Sequence, residues 1–146
     1  MLKVYLIGSL RNPAVPEIGN FLRERDFDVF DDWYGAGERA DDAWQEYEQK
    51  RGRHYAEALY APAAVNVFEF DKRHIEAADV GVLMLPAGKS GHLELGYMAG
   101  RGKYTVIFFP DGEPERWDCM YQFADKVVFD RDALYVALAD YEQGVV

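Results

Sequence analysis

Few side chains in this sequence combine the right type and spacing to do covalent chemistry, and Glu94 heads them. It stands in Pro86-Ala87-Gly88-Lys89-Ser90-Gly91-His92-Leu93-Glu94-Leu95-Gly96-Tyr97, directly after the most apolar run of the chain. Gly88, Ser90 and Gly91 make a flexible turn, and the spacing predicts Glu94 in the first turn of the helix that follows. There the helix dipole and unpaired N–H groups hold a carboxylate as its anion. An ionised carboxylate suits a nucleophile or an electrostatic stabiliser and makes a poor general acid. The same letters also fit a plain helix start, with Ser90 as N-cap and Glu94 as a helix-start charge.

Two further segments carry chemistry. Gly8-Ser9-Leu10-Arg11-Asn12-Pro13 follows the first apolar run. Gly8 lets backbone approach a ligand, Ser9 offers a hydroxyl, Arg11 a fixed fork of donors, and the helix start beyond adds N–H groups. It is neither a Walker loop nor a GxGxxG turn, and a simple strand-to-helix connection explains it equally. Phe68-Glu69-Phe70-Asp71-Lys72-Arg73-His74-Ile75-Glu76-Ala77-Ala78-Asp79 precedes the second strong apolar run. Asp71 among aromatics fits a buried, shifted carboxylate. Asp79, eight positions on, falls about 80° away on a helix or else ends it. His74 reads as packed or surface-lying rather than as a ligand. The loop Phe30-Asp31-Asp32-Trp33-Tyr34-Gly35-Ala36-Gly37-Glu38 offers Trp33 and Tyr34, which either stack on a flat heterocycle or cap the core.

The elements that must hold these groups are legible from hydrophobic period. Val4–Ile7, Val80–Leu85 and Thr105–Phe109 are apolar without alternation, as strands covered on both faces are. Asp28–Phe30 and Lys126–Phe129 are weaker strands. Helices are predicted over Pro13–Arg25, Asp41–Tyr60, Ala63–Ala77, Gly91–Arg101 and Arg131–Glu142, with Gly52 a possible kink in the second. The third carries Val67, Phe70, His74 and Ala78 at near-helical intervals. The alternation predicts an α/β fold: one domain over residues 1–146 with a doubly wound, mostly parallel five-stranded sheet in the flavodoxin-like order 2-1-3-4-5. Ligands of such sheets bind outside the carboxyl ends of the strands. The irregular stretches Asp31–Arg39 and Pro110–Met120 lie there.

Composition narrows the function classes. Of the 146 residues 49% are hydrophobic, which excludes a disordered chain, and a formal net charge of −10 disfavours a nucleic-acid polymer as partner. The single cysteine, Cys119, cannot form an internal disulfide and fits a reducing compartment; it reads as a packing residue. No leader or membrane-spanning run is visible, so a cytoplasmic enzyme is expected. The three histidines, His54, His74 and His92, lack metal-ligand spacing, and the acidic pairs Asp31-Asp32 and Asp41-Asp42 read as turn formers. No metal and no cofactor are expected.

Taken together, the motifs resemble the nucleoside 2-deoxyribosyltransferase family and the related nucleotide N-hydrolases, in order and spacing from Val4 to about Phe109. Tyr5-Leu6-Ile7-Gly8-Ser9 is similar to the family's first-strand signature. Asp71 with Ile75, Ala78 and Asp79 is similar to its aspartate and I-x-x-A-D segment, and Gly91-His92-Leu93-Glu94-Leu95-Gly96-Tyr97 to its G-x-x-x-E-x-G-x helix start. The resemblance implies Glu94 as the nucleophile at C1′ of a deoxyribose, with a second base or water accepting the sugar. It implies Asp71 as the group that positions or protonates the departing base, and Asp79 as a supporting or structural residue. It also implies dimers or higher homo-oligomers. Where family transferases commonly carry aspartate before Ser-Gly, this chain has Lys89. The Gly8-Ser9-Leu10-Arg11 turn is closer to the G-S-I-R of the deoxynucleoside 5′-monophosphate N-hydrolases. Ser9, Arg11, Lys89 and Ser90 then make a phosphate cradle, with Gly8, Trp33, Asp79, Gly88 and Gly91 completing the expected substrate site. The partners expected are a nucleoside or nucleotide and a free purine or pyrimidine. The departures leave nucleoside against monophosphate, and transfer against hydrolysis, open. A catalytically silent nucleotide-binding module is the competing class.

Overall fold

The computed structural model describes residues 1–145. Five strands form one parallel sheet: β1 (Lys3–Ile7), β2 (Asp28–Phe30), β3 (Val80–Met84), β4 (Tyr104–Phe108) and β5 (Lys126–Val128), in the order β2-β1-β3-β4-β5. Both the order and the parallel sense are those expected. β3 and β4 are buried along their whole length, which is why their sequences show no polar alternation.

The helices are α1 (Ala14–Arg23), α2 (Ala40–Lys50), α3 (Tyr55–Ala58), α4 (Pro62–Ala77), α5 (Lys89–Gly100) and α6 (Arg131–Glu142), with 3₁₀ turns at Asp32–Ala36 and Cys119–Phe123. One sheet face presents Val4, Leu6, Val82, Met84, Val106 and Phe108 to α1 and α6. The other presents Tyr5, Ile7, Leu83 and Ile107 to α4 and α5, which contribute Ile75, Leu95 and Met98. Side chains alternate across each strand, so neighbours such as Tyr5 and Leu6 serve opposite layers. Among the described residues no helix is long and apolar enough to cross a membrane.

Three expectations need correction. The helix expected over Asp41–Tyr60 is two helices. Gly52, at φ 76°, breaks the chain after Arg51, and Arg53 turns back so that its backbone N–H meets the Glu48 carbonyl at 3.0 Å. The Glu48 side chain, 2% exposed, is buried under Arg53 at 3.2 Å. The apolar residues of α4 do not all point inward: of its sixteen residues only Ile75 is buried, while Val67, Phe68 and Phe70 are exposed. Cys119 is exposed rather than packed.

Candidate active site

A tyrosine in the middle of an aliphatic buried strand must find a hydrogen-bond partner for its hydroxyl. Tyr5, 1% exposed on β1, finds Glu94: its hydroxyl donates to Glu94 Oε2 at 2.9 Å. That bond joins the sheet floor to α5 and leaves Glu94 Oε1 free of any described side-chain partner. Asp71 of α4 completes the group, close enough for its charge to act on both Tyr5 and Glu94.

Glu94 does not sit where the spacing predicts. α5 begins at Lys89 with Gly88 as N-cap, so Glu94 is the sixth helical residue and Ser90 the second. The helix dipole fades within the first turn, and burial takes over. Desolvation pushes the Glu94 carboxyl up to about 7; the Tyr5 hydrogen bond pulls it back, and the Asp71 charge adds to the rise. Burial also raises Asp71, against the pull of the nearby His74. Desolvation, with the Glu94 and Asp71 charges behind it, drives Tyr5 far above its ordinary value, so its hydroxyl stays protonated and remains a donor. The site is therefore poised near neutrality rather than held as a permanent anion.

An aromatic wall backs this group. Phe30 stacks on Tyr5 with centroids 5.4 Å apart, and His74 lies flat on Phe30 at 3.9 Å with Phe70 edge-on at 4.8 Å. Trp33 closes the carboxyl end of β1. Its indole N–H donates to the Leu6 carbonyl at 2.7 Å, and its ring packs into both layers of the core.

The loops after β1 and β3 leave adjacent strands at one sheet edge. Gly8 has no room for a side chain, since a Cβ there would stand 2.9 Å from Val15 Cγ2 and 3.6 Å from the Met84 carbonyl oxygen. The Ser9 hydroxyl accepts from the Arg11 backbone N–H at 3.1 Å and shapes the turn; the Arg11 guanidinium is exposed, 3.8 Å from Asp42 of α2. On the β3 side, a cis Leu85–Pro86 bond leads into Gly88, Lys89 and Ser90, all exposed. Gly91 is buried and lets α5 lie on Ile7 and Leu83, which a Cβ would meet at 3.1 and 3.2 Å. The Gly88 carbonyl accepts from His92 Nδ1 at 2.8 Å, so His92 Nε2 accepts from the Tyr121 hydroxyl at 2.8 Å. A cavity of about 190 Å³ on that flank, lined by Leu95, Ala99, Ile107 and Tyr121, does not include Glu94.

Of the residues singled out from sequence, Glu94 and Asp71 come together around Tyr5, and Gly8, Ser9, Arg11, Trp33, Gly88, Lys89, Ser90 and Gly91 lie in the segments that follow the carboxyl ends of β1, β2 and β3. Asp79 lies elsewhere. It follows the end of α4 at the opposite sheet edge, where its carboxylate accepts from the Lys3 N–H at 2.9 Å and its own N–H donates to the Lys3 carbonyl at 2.8 Å. Tyr5, Phe30 and Phe70 were missed as site residues. The available signal was the lone hydroxyl within an aliphatic strand. Among the described residues no group of three or more His, Cys, Asp or Glu is placed to hold a metal ion.

No family model matches the sequence, and no curated protein matches it. Solved structures similar to it include the following three. A 2-deoxyribosyltransferase from Bacillus psychrosaccharolyticus has a TM-score of 0.59 at 18% identity, over 90% of this chain and 89% of that one. A CMP N-glycosidase from Clostridium botulinum has a TM-score of 0.57 at 13% identity, over 94% and 98%. A conserved protein from Enterococcus faecalis has a TM-score of 0.57 at 16% identity, over 92% and 94%. At such identities the likeness is one of fold: the chain has the fold shared by a deoxyribosyltransferase and an N-glycosidase, which supports the resemblance of its motifs at the level of the fold.

Proposed function

We propose that this chain cleaves the N-glycosidic bond of a 2′-deoxynucleoside or its 5′-monophosphate through a covalent glycosyl–Glu94 intermediate and passes the deoxyribosyl group to a second base. The observation that carries this reading is the half-buried Tyr5–Glu94 hydrogen bond at 2.9 Å with Asp71 close by. A double displacement needs one carboxylate oxygen fixed and the other free to bond an oxocarbenium-like carbon. Glu94 attacks C1′, and the C1′–N bond breaks with its electron pair leaving on the base. Asp71 orients or protonates that base, its carboxyl being raised above the ordinary carboxylate range by burial. A nitrogen of the incoming base then attacks C1′ and frees the Glu94 carboxylate, and the proton of that nitrogen passes to Asp71, restoring the one given to the departing base.

Hydrolysis is the second reading, with water in place of the incoming base. Two observations favour it: Arg11 and Lys89 place cations in the segments that follow β1 and β3, and one of the similar folds is a CMP N-glycosidase. Incubation with deoxynucleosides and their monophosphates, with and without a second free base, separates the readings. A new nucleoside means transfer; free base with deoxyribose phosphate means hydrolysis. Acid-quenched protein should gain the mass of one deoxyribosyl group on the peptide holding Glu94, and Glu94→Gln should gain none. A folded protein that binds a nucleotide and turns over no member of the panel would be a binding module instead.

A further inference from the structure

The two carboxylates ride on different helices, and little apolar packing fixes one helix against the other. α4 buries only Ile75 along its length, and α5 sends its buried residues Gly91, Leu95 and Met98 down to the sheet. What ties them is polar and lies at their carboxyl ends. Glu76, one turn beyond Asp71 and in the last turn of α4, accepts from the Tyr97 hydroxyl and, at 3.3 Å, from the Arg101 guanidinium, both on or next to α5. The end of α5 is shaped to add a third tie. Gly102 takes φ 78°, the Lys103 N–H returns to the Met98 carbonyl at 3.0 Å, and Lys103 is aimed across at α4. Its ammonium donates to the Glu76 carbonyl at 2.9 Å and the Ala78 carbonyl at 2.6 Å, carbonyls that the end of α4 leaves without helical partners.

We propose that Glu76, Tyr97, Arg101 and Lys103 form a positioning clamp that fixes how far Asp71 stands from Glu94 and how closely α4 and α5 approach around them. Its importance to catalysis rests on the function proposed above, but the geometry can be tested without substrate. Glu94 faces Tyr5 from β1 and Asp71 from α4, while His92 on its own helix is turned away to Gly88 and Tyr121. Loosening the clamp lets α4 ride away. That weakens both influences that raise Glu94, its desolvation and the Asp71 charge, and leaves the Tyr5 bond in place.

The test is the titration of Glu94 in the free protein, followed by carboxyl carbon NMR and assigned by its loss in Glu94→Gln. Tyr97→Phe and Lys103→Met should each move the midpoint from about 7 toward the ordinary 4.5. Asp130→Ala, which removes the N-cap of α6 on the opposite sheet face, should lower the melting temperature and leave the midpoint alone. An unmoved midpoint in folded Tyr97→Phe and Lys103→Met, or an equal fall in Asp130→Ala, overturns the clamp. Neither result touches the glycosidase reading, which stands or falls on product formation.

Discussion

Two neighbours act on Glu94 with opposite sign, and that makes its role separable by mutation. A nucleophile must be ionised, so kcat/KM should rise with pH through a midpoint near 7, where burial has placed the carboxyl. Tyr5 favours the anion through its hydrogen bond, and a bond to a charged group is worth roughly 1.5–3 kcal/mol. Tyr5→Phe should therefore move the midpoint upward by about one to two pH units. Asp71 disfavours the anion, so Asp71→Asn should move the midpoint downward while also slowing departure of the base. A pH–rate profile for each variant reads both shifts; shifts of the same sign would show that the mutations merely loosen the site. Glu94→Gln should lose roughly 10⁴-fold in kcat on natural substrates.

Elements fail to be read from sequence where a contact between elements decides the matter. Helical period alone runs on from Asp41 to Tyr60, because the reversal at Gly52 depends on the buried Glu48–Arg53 pair, which no local pattern reveals. Spacing starts α5 at Gly91 and so puts Glu94 within the dipole's reach; the helix starts at Lys89, which carries Glu94 to its second turn, where burial governs its ionisation. The strand around Tyr5 reads as simply apolar, and the role of its hydroxyl appears only once α5 lies on the same face. The α1–β2 connection hides a similar contact. Arg23 pairs with the Asp31 carboxylate and also donates to the Val29 carbonyl at 3.1 Å, and Gly19 lies so close beneath Asp31 that an added Cβ would stand 2.1 Å from its Oδ2. Gly19→Ala must displace a buried, paired carboxylate. It should cost about 1–3 kcal/mol in urea unfolding, with an unchanged m-value if only this contact is lost. A neutral Gly19→Ala would mean that Asp31 moves freely and that the pair does not lock β2 to α1.

At the scale of the molecule the sequence was most legible, because buried parallel strands and right-handed crossovers leave few ways to arrange five runs of this kind. The strand order then determines which loops share an edge, and it brings Gly8–Arg11 beside Gly88–Gly91 without any knowledge of side chains. What it does not determine is the energetic cost of the site. Folding buries Glu94 and raises its carboxyl from an ordinary 4.5 to about 7. The folded chain thus holds that proton more tightly than the unfolded one between these values, and stability falls as pH rises through this window. Above about pH 7 the cost is complete, at about 3 kcal/mol. Glu94→Gln keeps an acceptor for Tyr5 and carries no charge, so it should relieve the whole cost. At pH 8 it should melt roughly 6–12 °C above wild type, and the gap should close toward zero at pH 5, where both side chains are neutral. Melting curves of the two proteins across pH 5–8 decide it. A gap that does not change with pH would place Glu94 in water-like surroundings and remove the physical basis for its reactivity.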